Sequence, residues 1–372
     1  MKKYIFDFGR NYNLSLTELI SYLKMRERKF KILEYSEDGV LLSISNFDPL
    51  KASRRLGGIK RIGKIICTDY RKLEELDLYR RIEEKLFYGI KEIPNSGRKE
   101  AIRKILKNKF KEENLKAMYK EMNLGELVKK NSLEILTFSD RYVGRTVSIS
   151  NPLDFQSRDN RRPNKNREIT TSIRISDILL NLAQVKKDEI VLDPFCGNGT
   201  ILQEALLFGS EVRGLDIKEG RVKETVENLK WFKKEYSINK KFEIRCGDSR
   251  KVSKYFPENS IDKIVSEPEL GPMLKKLPKR NKAKNIMNNL EDLYSDFFRE
   301  VSKILKKNGI MVIVLPQLKT KDDEKYKMDV EKITHDNFKI SKSFQDFGIS
   351  IPLEYSERWH KLERLIYVFK RN

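Results

Sequence analysis

The feature that most constrains the fold is a regular alternation of strand and helix patterns, which starts at residue 173 and runs to the C-terminus. Short apolar runs alternate there with segments whose apolar residues recur at helical spacing. Strands that are separated by helices pair in parallel, because each crossover helix returns the chain to the same end of the sheet. The sequence therefore predicts an α/β domain at 173–372 with a doubly wound, mostly parallel sheet.

The residues before 173 predict α+β structure. Residues 1–66 have the pattern strand, helix, strand, strand, and they close on the basic segment RRLGGIKRIGKII. Residues 67–150 predict a helix from Leu73 to Glu84, a strand, a very basic helix from Lys99 to Lys111, a further helical stretch and two strands. A polar connector with two prolines, residues 151–172, leads into the α/β domain.

The charge balance favours a polyanionic partner. The chain has 77 Lys and Arg against 55 Asp and Glu, a formal net charge of +22, and residues 51–150 alone hold 25 basic against 14 acidic residues. An excess that is this uneven is typical of proteins that bind nucleic acid. A biased genome composition is the competing explanation.

Cysteine usage and hydropathy limit the class of protein. The three cysteines, Cys67, Cys196 and Cys246, are widely spaced and form no C-x-x-C pair, so neither a metal site nor a disulfide framework is expected. No run approaches the roughly 18 apolar residues of a membrane span. The apolar N-terminus is interrupted by Asp7 and Arg10, unlike a signal peptide. We expect a soluble, cytoplasmic protein with no membrane partner, and a monomer is the simplest expectation.

Acidic residues follow four predicted strands of the α/β domain: Asp193, Asp216, Asp248 and Glu267. The carboxyl ends of parallel strands meet at one edge of the sheet, where ligands bind. Each acid alone is more simply a helix cap or a solvated loop residue. Four of them at successive strand ends favour a ligand site.

The turn after the first of these strands, VLDPFCGNGT, contains Gly197 and Gly199. Glycines in a tight strand-to-helix turn let the backbone approach a ligand that a Cβ would block. The dinucleotide fingerprint fails because Leu202 replaces its third glycine, and the phosphate-binding G-x-x-x-x-G-K-[ST] motif is absent. A ligand with an amino-acid part and an adenosine but no phosphate fits this turn. S-adenosylmethionine is such a ligand, and Asp216 is well placed for a ribose diol.

The segment VLDPFCGNGTILQEALLFGSEVRGLDI, followed by ENLKWF, strongly resembles the class I S-adenosylmethionine-dependent RNA methyltransferases that carry THUMP domains. The resemblance is closest to the tRNA guanosine-10 N2-methyltransferase group. The connector YVGRTVSISNPLDFQSRDNRRPNKN and the opening YIFDFGRNYNLSLTELISYL are similar to the same group. The resemblance implies a ferredoxin-like domain at 1–66, a THUMP RNA-binding domain at 67–150, a connector at 151–172 and a Rossmann-like methyltransferase domain at 173–372.

The resemblance also implies which residues contact S-adenosylmethionine. They lie in the strand-end loops and at the end of the connector: Asp193, Gly197, Gly199, Thr200, Asp216, Asp248, Thr171 and Ser172. Asp216 would hold the ribose hydroxyls, and Asp248 would reach the adenine amino group.

Related amino-methyltransferases carry D/N-P-P-Y/F at the end of the fourth strand. The acid or amide and a backbone carbonyl accept hydrogen bonds from the exocyclic amine, and the aromatic residue stacks on a base that has left its helix. This chain has Glu-Pro-Glu-Leu at 267–270 instead. The first acid and the first proline are kept in kind, so Glu267 and Pro268 are the predicted catalytic residues.

The predicted RNA contacts are apolar residues near the acceptor site and basic residues of the connector, of the basic helix and of the run MLKKLPKRNKAKN after Leu270. They are Leu270, Phe155, Arg158, Arg162, Lys275, Lys276, Arg103 and Lys107. Phe155 or Tyr294 is the candidate for the missing stacking aromatic. Structuring of the connector is an equal alternative for Arg158 and Arg162. A solvated helix face is the alternative for the basic helix, and a mobile lid without a role in RNA binding is the alternative for the basic run.

The leading hypothesis is an S-adenosylmethionine-dependent methyltransferase that acts on the guanosine N2 of RNA, above all tRNA. Two alternatives stay open: a DNA amino-methyltransferase, since D-P-F-C-G-N-G also occurs there, and an RNA-binding protein with a degenerate catalytic site. A small activating partner protein, which some relatives need, is a further expectation.

Overall fold

Two β-sheets organise the chain, one in each of two units. The computed structural model describes residues 1–79, 85–129, 131–165, 171–272, 274, 276–356 and 362–372. One unit comprises Met1–Leu19 and Arg26–Arg158, and the other comprises Ile20–Met25 and Asp159–Asn372.

The first sheet has eight strands. They are β1 (Lys2–Phe8), β2 (Phe30–Tyr35), β3 (Gly39–Ile44), β4 (Ile59–Cys67), β5 (Leu86–Ile93), β6 (Ala117–Tyr119), β7 (Ser132–Phe138) and β8 (Tyr142–Ile149). The helices of this part of the chain are α1 (Tyr12–Met25), α2 (Pro49–Ser53), α3 (Lys99–Glu112), α4 (Leu124–Leu127) and α5 (Pro152–Asn160). The strand order is β2-β3-β1-β4-β8-β7-β5-β6. Within the described residues, β5 pairs in parallel with β6 and β7, and the other pairs are antiparallel.

A buried charge network ties strands of this sheet together. Arg61 on β4 donates to Asp7 on β1 at 2.8 Å and to Glu134 on β7 at 3.1 Å, and Thr146 on β8 also donates to Glu134. Burial raises the pKa of Glu134, and the charge of Arg61 opposes that shift. The sheet is continuous where residues 1–66 meet residues 67–150, so their separation into two domains stays a prediction.

The second sheet is doubly wound and mostly parallel, which confirms the predicted fold class. Its strands are β9 (Ile190–Asp193), β10 (Glu211–Asp216), β11 (Phe242–Cys246), β12 (Ile261–Ser266), β13 (Leu305–Lys319), β14 (Lys325–Lys327), β15 (Phe338–Ile340), β16 (Leu353–Tyr355) and β17 (Leu362–Arg371). The helices are α6 (Ile173–Leu182), α7 (Thr200–Leu207), α8 (Glu219–Glu235), α9 (Arg280–Ile304) and α10 (Val330–Thr334).

The strand order in this sheet is β11-β10-β9-β12-β13-β17-β15, with β14 beside β13 and β16 beside β17. Strands β9 to β13 are parallel, and β17 is antiparallel to β13. The direction of winding reverses between β9 and β12. This is the switch point of the sheet, where ligands bind outside the carboxyl ends of the strands.

Helix α9 supplies much of the core of the second unit. Its apolar face buries Tyr294, Phe297, Phe298 and Val301. The ring of Phe298 meets the ring of Phe369 on β17 edge to face, with centroids 5.4 Å apart. Burial of aromatic rings of this size is a large stabilising contribution, so α9 is fixed firmly beside the sheet.

The prediction of a helix from Leu73 to Glu84 is wrong for residues 73–79, the part that the structure describes. The chain forms only a short 3₁₀ helix, Tyr70–Glu74, and residues 75–79 are irregular. Leu73 and Leu78 are both buried in the core beside α3, so the apolar spacing reflects burial of an irregular segment. Residues 80–84 lie outside the described residues.

Helix α9 begins at Arg280, within the basic run MLKKLPKRNKAKN. Ala283, Ile286 and Met287 are buried and extend the apolar face into the basic run. The second half of that run, from Arg280 onward, is therefore helical. Within the described ranges, no helix is both long enough and apolar enough to cross a membrane.

Candidate active site

The turn after β9 takes a left-handed backbone at its two glycines. The φ angles are +55° at Gly197 and +81° at Gly199, which is the N-cap of α7. A Cβ at Gly199 would lie 2.9 Å from Cγ2 of Thr225 on α8. A Cβ at Gly197 would meet none of the described residues within 4 Å. The turn therefore presents its backbone to open space at Gly197, which is what close approach of a ligand requires.

Side chains from β10 and α8 brace this turn. Asp216 accepts hydrogen bonds from the backbone N–H of Gly197 at 3.0 Å and of Lys218 at 2.9 Å, one on each carboxylate oxygen. Thr225 donates from its hydroxyl to the carbonyl of Gly197 at 2.6 Å. Each oxygen of Asp216 keeps a second lone pair, so Asp216 can brace the turn and still accept a hydroxyl of a ligand.

Asp193 is the most perturbed acid of the site. It is buried, and its Oδ1 accepts from the hydroxyl of Ser266 at 2.6 Å and from the N–H of Phe195 at 3.1 Å. The pKa of Asp193 is raised to about 7, mainly by burial and in smaller part by the charges of Asp216 and Glu267, against the hydrogen bonds from Ser266 and the Phe195 N–H, which lower it. A cation that approaches would favour the ionised form.

Asp248 makes its hydrogen bonds and its ion pair within its own loop. It caps the 3₁₀ helix Ser249–Lys254 by accepting from the N–H of Arg250 at 2.9 Å, and it forms an ion pair with the Arg250 guanidinium at 2.7 Å. These hydrogen bonds lower the pKa of Asp248. The predicted contact with adenine would have to share this carboxylate with Arg250.

Glu267 directly follows β12 and is held by two donors. The hydroxyl of Thr171 donates to Oε2 at 2.6 Å, and Nε of Arg364 on β17 donates to Oε1 at 2.5 Å. Thr171 was expected at the cofactor, but the structure places it against the predicted catalytic acid. Ser172 caps α6 by accepting from the N–H of Ile175 at 3.3 Å.

Helix α9 anchors the rest of the Glu-Pro-Glu-Leu segment, residues 267–270, through a hydrogen bond. The hydroxyl of Tyr294 donates to the backbone carbonyl of Glu269 at 2.8 Å. The Tyr294 ring is completely buried, so it cannot stack on a base, and this candidate for the missing aromatic is wrong. Pro268 is buried and Leu270 is half-buried.

The described part of the connector is bonded to the same glycine turn and to the helices beside it. Arg162 is buried and donates to the hydroxyl of Thr200 and to Asp159, both at 2.7 Å. Asn228 on α8 donates to the carbonyls of Asn164 and Asn198 and accepts from the N–H of Asn164. Burial lowers the pKa of the Arg162 guanidinium. This environment favours the connector-structuring alternative for Arg162 over a phosphate contact.

Phe155 and Arg158 lie on α5 in the first unit, and the Arg158 guanidinium stands 4.7 Å over the Phe155 ring. Both are buried. In the second unit, Lys276 is exposed, whereas Lys275 lies outside the described residues.

The basic helix α3 is exposed on one face only. Arg103, Lys104 and Lys107 are exposed, and the Arg103 guanidinium lies 4.4 Å over the ring of Tyr119. Lys109 is buried and donates to the backbone carbonyl of Glu74 at 2.9 Å. Lys109 is therefore a packing residue, and the exposed basic face is smaller than the sequence suggests.

Comparison with known families shows which family the second unit resembles. Residues 158–345, half of the chain, match the family described as RMKL-like, methyltransferase domain. The chain belongs to this family. The match covers the glycine turn, all four strand-end acids and α9.

Three curated relatives of this methyltransferase chain carry the name tRNA (guanine(10)-N2)-dimethyltransferase. The protein of Methanothermobacter thermautotrophicus is 29% identical over 54% of this chain, and that of Methanocaldococcus jannaschii is 29% identical over 46%. The protein of Pyrococcus abyssi is 26% identical over 67% of this chain and 75% of its own length. The matches span only 49% and 47% of the first two relatives, about half of their length.

Two solved structures share the fold over all or nearly all of the chain. TrmN from Thermus thermophilus superimposes with a TM-score of 0.56 at 13% identity and covers 100% of both chains. A possible methylase from Clostridium difficile 630 gives a TM-score of 0.51 at 13% identity and covers 98% of this chain. At this identity the likeness concerns the fold alone.

Sequence reasoning missed several residues that shape the site. Arg364 is separated from Glu267 by nearly a hundred residues and comes from an antiparallel strand with no motif. Ser266 carries no pattern that distinguishes it from other polar residues, whereas Asn228 lies in the segment ENLKWF, whose resemblance to the family could have drawn attention to it.

Proposed function

We propose that this chain is an S-adenosylmethionine-dependent RNA methyltransferase that acts on the exocyclic N2 amine of guanine in tRNA. The observation that carries the proposal is the meeting of two groups at one switch point. The glycine turn follows β9 and the acid Glu267 follows β12, and these two strands are neighbours. The names of the curated relatives support the choice of tRNA and of guanine N2.

The residues around the turn fit S-adenosylmethionine, which supplies an activated methyl group when it is bound. The open space beside Gly197 leaves room for a ligand against the backbone. The ionisable Asp193 suits the ammonium group of the methionine part, and Asp216 keeps lone pairs for the ribose hydroxyls. The two acids suit a ligand that carries positive charge.

Glu267 and Pro268 form the acceptor side of the proposed site. Glu267, as a carboxylate, has four lone-pair positions and uses one on each oxygen for Arg364 and Thr171. A free position would accept an N–H of the guanine amine, and the carbonyl of Pro268 would accept the other. These bonds orient the nitrogen and draw its lone pair out of conjugation with the ring.

The substitution of Pro and an aromatic by Glu269 and Leu270 changes how the base is held. Stacking on an aromatic side chain contributes roughly 1–3 kcal/mol per base, and Leu270 offers apolar contact only. The exposed basic residues of α3 and Lys276 are proposed to compensate by binding RNA phosphates. We also propose that residues 1–66 form a ferredoxin-like domain and that residues 67–150 form a THUMP RNA-binding domain.

The test is methyl transfer from labelled S-adenosylmethionine to unmodified bulk tRNA, with nucleoside analysis of the product. We expect label in N2-methylated guanosine, and Glu267→Ala should lower the rate roughly 100-fold or more, as loss of a key polar group in an active site does. The exposed Glu258 provides a matched control, Glu258→Ala, which should keep full activity. Equal label in the Glu267 variant would remove Glu267 from the mechanism. Label in DNA would replace the proposal by a DNA amino-methyltransferase. Cofactor binding without transfer to any RNA would replace it by an RNA-binding protein with a degenerate catalytic site.

A further inference from the structure

Glu269 lies two residues after the proposed catalytic acid, Glu267, and its side chain is exposed. Two residues span at most about 7 Å of extended chain, so the two glutamate side chains start close together. From Pro268 to Leu290 the sequence has six Lys and Arg residues, and Glu269 is its one acid. An exposed carboxylate in a basic surface repels the RNA backbone that this surface attracts. A contact with the base itself would compensate for that repulsion.

The backbone at Glu269 is fixed against α9. The hydroxyl of Tyr294 donates to the Glu269 carbonyl at 2.8 Å. A Cβ at Gly271 would lie 3.3 Å from Cγ2 of Ile286 and 3.5 Å from Cδ1 of Leu290, both on the same helix. The helix therefore closes one side of the segment, whereas the Glu269 side chain is exposed and stays accessible to a substrate.

The two glutamates act on the same buried hydroxyl. Burial raises the pKa of Tyr294 well above its ordinary value, and the charges of Glu269 and Glu267 raise it further. Both carboxylates therefore lie in the neighbourhood of one oxygen atom. Glu267 is held by Arg364 and Thr171. Among the described residues, no hydrogen bond or ion pair holds the Glu269 carboxylate, so its acceptor positions are open to a ligand.

We propose that Glu269 is a specificity-determining residue: its carboxylate accepts the N1–H of the target guanine while Glu267 accepts from the N2 amine. The inference rests on the proposed function. The Watson–Crick edge of guanine presents two neighbouring donors, N1–H and the N2 amine, beside the acceptor O6. Enzymes that take a base out of its helix read it by hydrogen bonds to this edge. Two carboxylates that are one residue apart match the two donors.

The experiment compares two tRNAs that differ only at the guanosine that the wild-type enzyme methylates, which is mapped first. One carries guanosine there, and the other carries 2-aminopurine riboside, which keeps the amine at C2 but has a lone pair at N1 and no O6. We expect the wild-type kcat/KM to fall roughly 100-fold on the analogue, because a bond to a charged acceptor is lost and the carboxylate meets a lone pair.

The decisive variant is Glu269→Gln. Its amide has an oxygen that accepts from N1–H of guanine and an NH2 group that donates to N1 of 2-aminopurine. The preference for guanosine should therefore shrink at least roughly 10-fold, and the variant should be faster than wild type on the analogue. Glu269→Ala, which offers neither group, should also show a smaller preference, but it should be slow on both tRNAs.

Two controls separate recognition from other effects. Thr171→Val should be slower than wild type, because Glu267 loses a donor, but it should keep the full preference for guanosine. Glu258→Gln, which removes an exposed acid elsewhere, should behave as wild type on both tRNAs. The preference is a ratio within each variant, so neither general loss of activity nor an effect of the missing O6 or of the analogue on the tRNA imitates a change between variants.

The outcomes separate this inference from the proposed function. An active wild type whose preference for guanosine persists in both Glu269 variants would overturn the contact with N1 and leave the proposed function intact. A wild type that methylates both tRNAs equally well would have the same meaning. Transfer by the wild type to an atom other than guanine N2 would overturn the proposed function and this inference together.

Discussion

Three carboxyl groups meet at the switch point, and their partners give each a different character. Asp216 accepts from two backbone amides, and Glu267 accepts from Arg364 and Thr171. Asp193 is buried, and among the described residues it accepts from the Ser266 hydroxyl and one backbone amide. A carboxylate is costly to bury unless charge or several hydrogen bonds compensate it. Asp193 is therefore the group whose ionisation responds to neutral pH.

The raised pKa of Asp193 predicts a pH-dependent stability of the free protein. Its pKa is about 7 in the fold against an ordinary value of 3.8, so folding favours the protonated form. That contribution is complete below the unfolded pKa and is lost as pH rises through about 7. From pH 5 to pH 8 we expect wild type to lose roughly 2–3 kcal/mol of unfolding free energy relative to Asp193→Asn.

Denaturant unfolding at the two pH values measures this difference. Asp292→Asn, which removes an exposed carboxylate of α9, is the matched control. A difference between wild type and Asp193→Asn that is constant across this pH range would show that Asp193 does not titrate there.

Tyr294 predicts a loss of activity that is separate from cofactor binding. Tyr294→Phe keeps the buried ring but deletes the bond to the Glu269 carbonyl, which costs about 1 kcal/mol of stability. We expect slower methyl transfer, since the Glu-Pro-Glu-Leu segment loses its anchor, and unchanged binding of S-adenosylhomocysteine by calorimetry. Tyr367→Phe, at a buried ring of β17, controls for the loss of a tyrosine hydroxyl. Full activity of Tyr294→Phe would mean that the segment is held without this bond.

At the scale of elements, the glycine turn is fixed by contacts with α8. Gly199 has a left-handed backbone and also lies against Thr225, whereas Gly197 has the left-handed backbone alone. A left-handed conformation costs a residue with a Cβ about 1–2 kcal/mol. Gly197→Ala should therefore destabilise by about that amount, and Gly199→Ala by more, because its Cβ also overlaps Thr225.

Thermal or denaturant unfolding of the two alanine variants tests this order. Both share the chemistry of the change, so each is the control of the other. Equal destabilisation would mean that Thr225 moves away at no cost.

A second prediction at the scale of elements concerns hydrogen exchange in the connector. Asn228 makes three bonds that join Asn164 and the glycine turn to α8. Asn228→Ala should raise the hydrogen-exchange rate of residues 159–165 and of the turn, since locally opened segments exchange faster. Lys223→Ala, on an exposed site of the same helix, should leave both rates unchanged. Unchanged exchange in Asn228→Ala would show that other contacts hold the connector.

At the scale of the whole molecule, the net charge of +22 predicts salt-dependent RNA binding. Each lost phosphate contact lowers the steepness of the log–log salt dependence by roughly 0.7–0.9. The double change Lys104→Gln and Lys107→Gln should therefore flatten the slope by roughly 1.4–1.8 and leave stability nearly unchanged. Lys109→Gln should lower stability instead, because Lys109 is bonded inside the unit.

Binding of tRNA measured at several salt concentrations, with unfolding of each variant, decides between these roles. An unchanged slope in the double variant would place RNA elsewhere on the molecule, and the α3 face would then be only a solvated surface.

The sequence by itself determined the parts of this protein that depend on local pattern. Alternating strands and helices predicted the parallel sheet, and the glycines and the four acids predicted its ligand edge, because strand direction places those residues together. The local pattern failed where burial was irregular, as at Leu73 and Leu78, and where charged residues masked the first turns of α9.

Only the tertiary structure decided which partner each polar group has. Arg364 reaches Glu267 from a strand that is distant in sequence, Tyr294 turns inward to a backbone carbonyl, and Thr171 binds the acid that it was not expected to touch. Such contacts depend on the order of strands and on side-chain reach across the sheet. Neither leaves a periodic signal in the sequence, because hydrogen bonds between distant segments require only one suitable donor and one suitable acceptor.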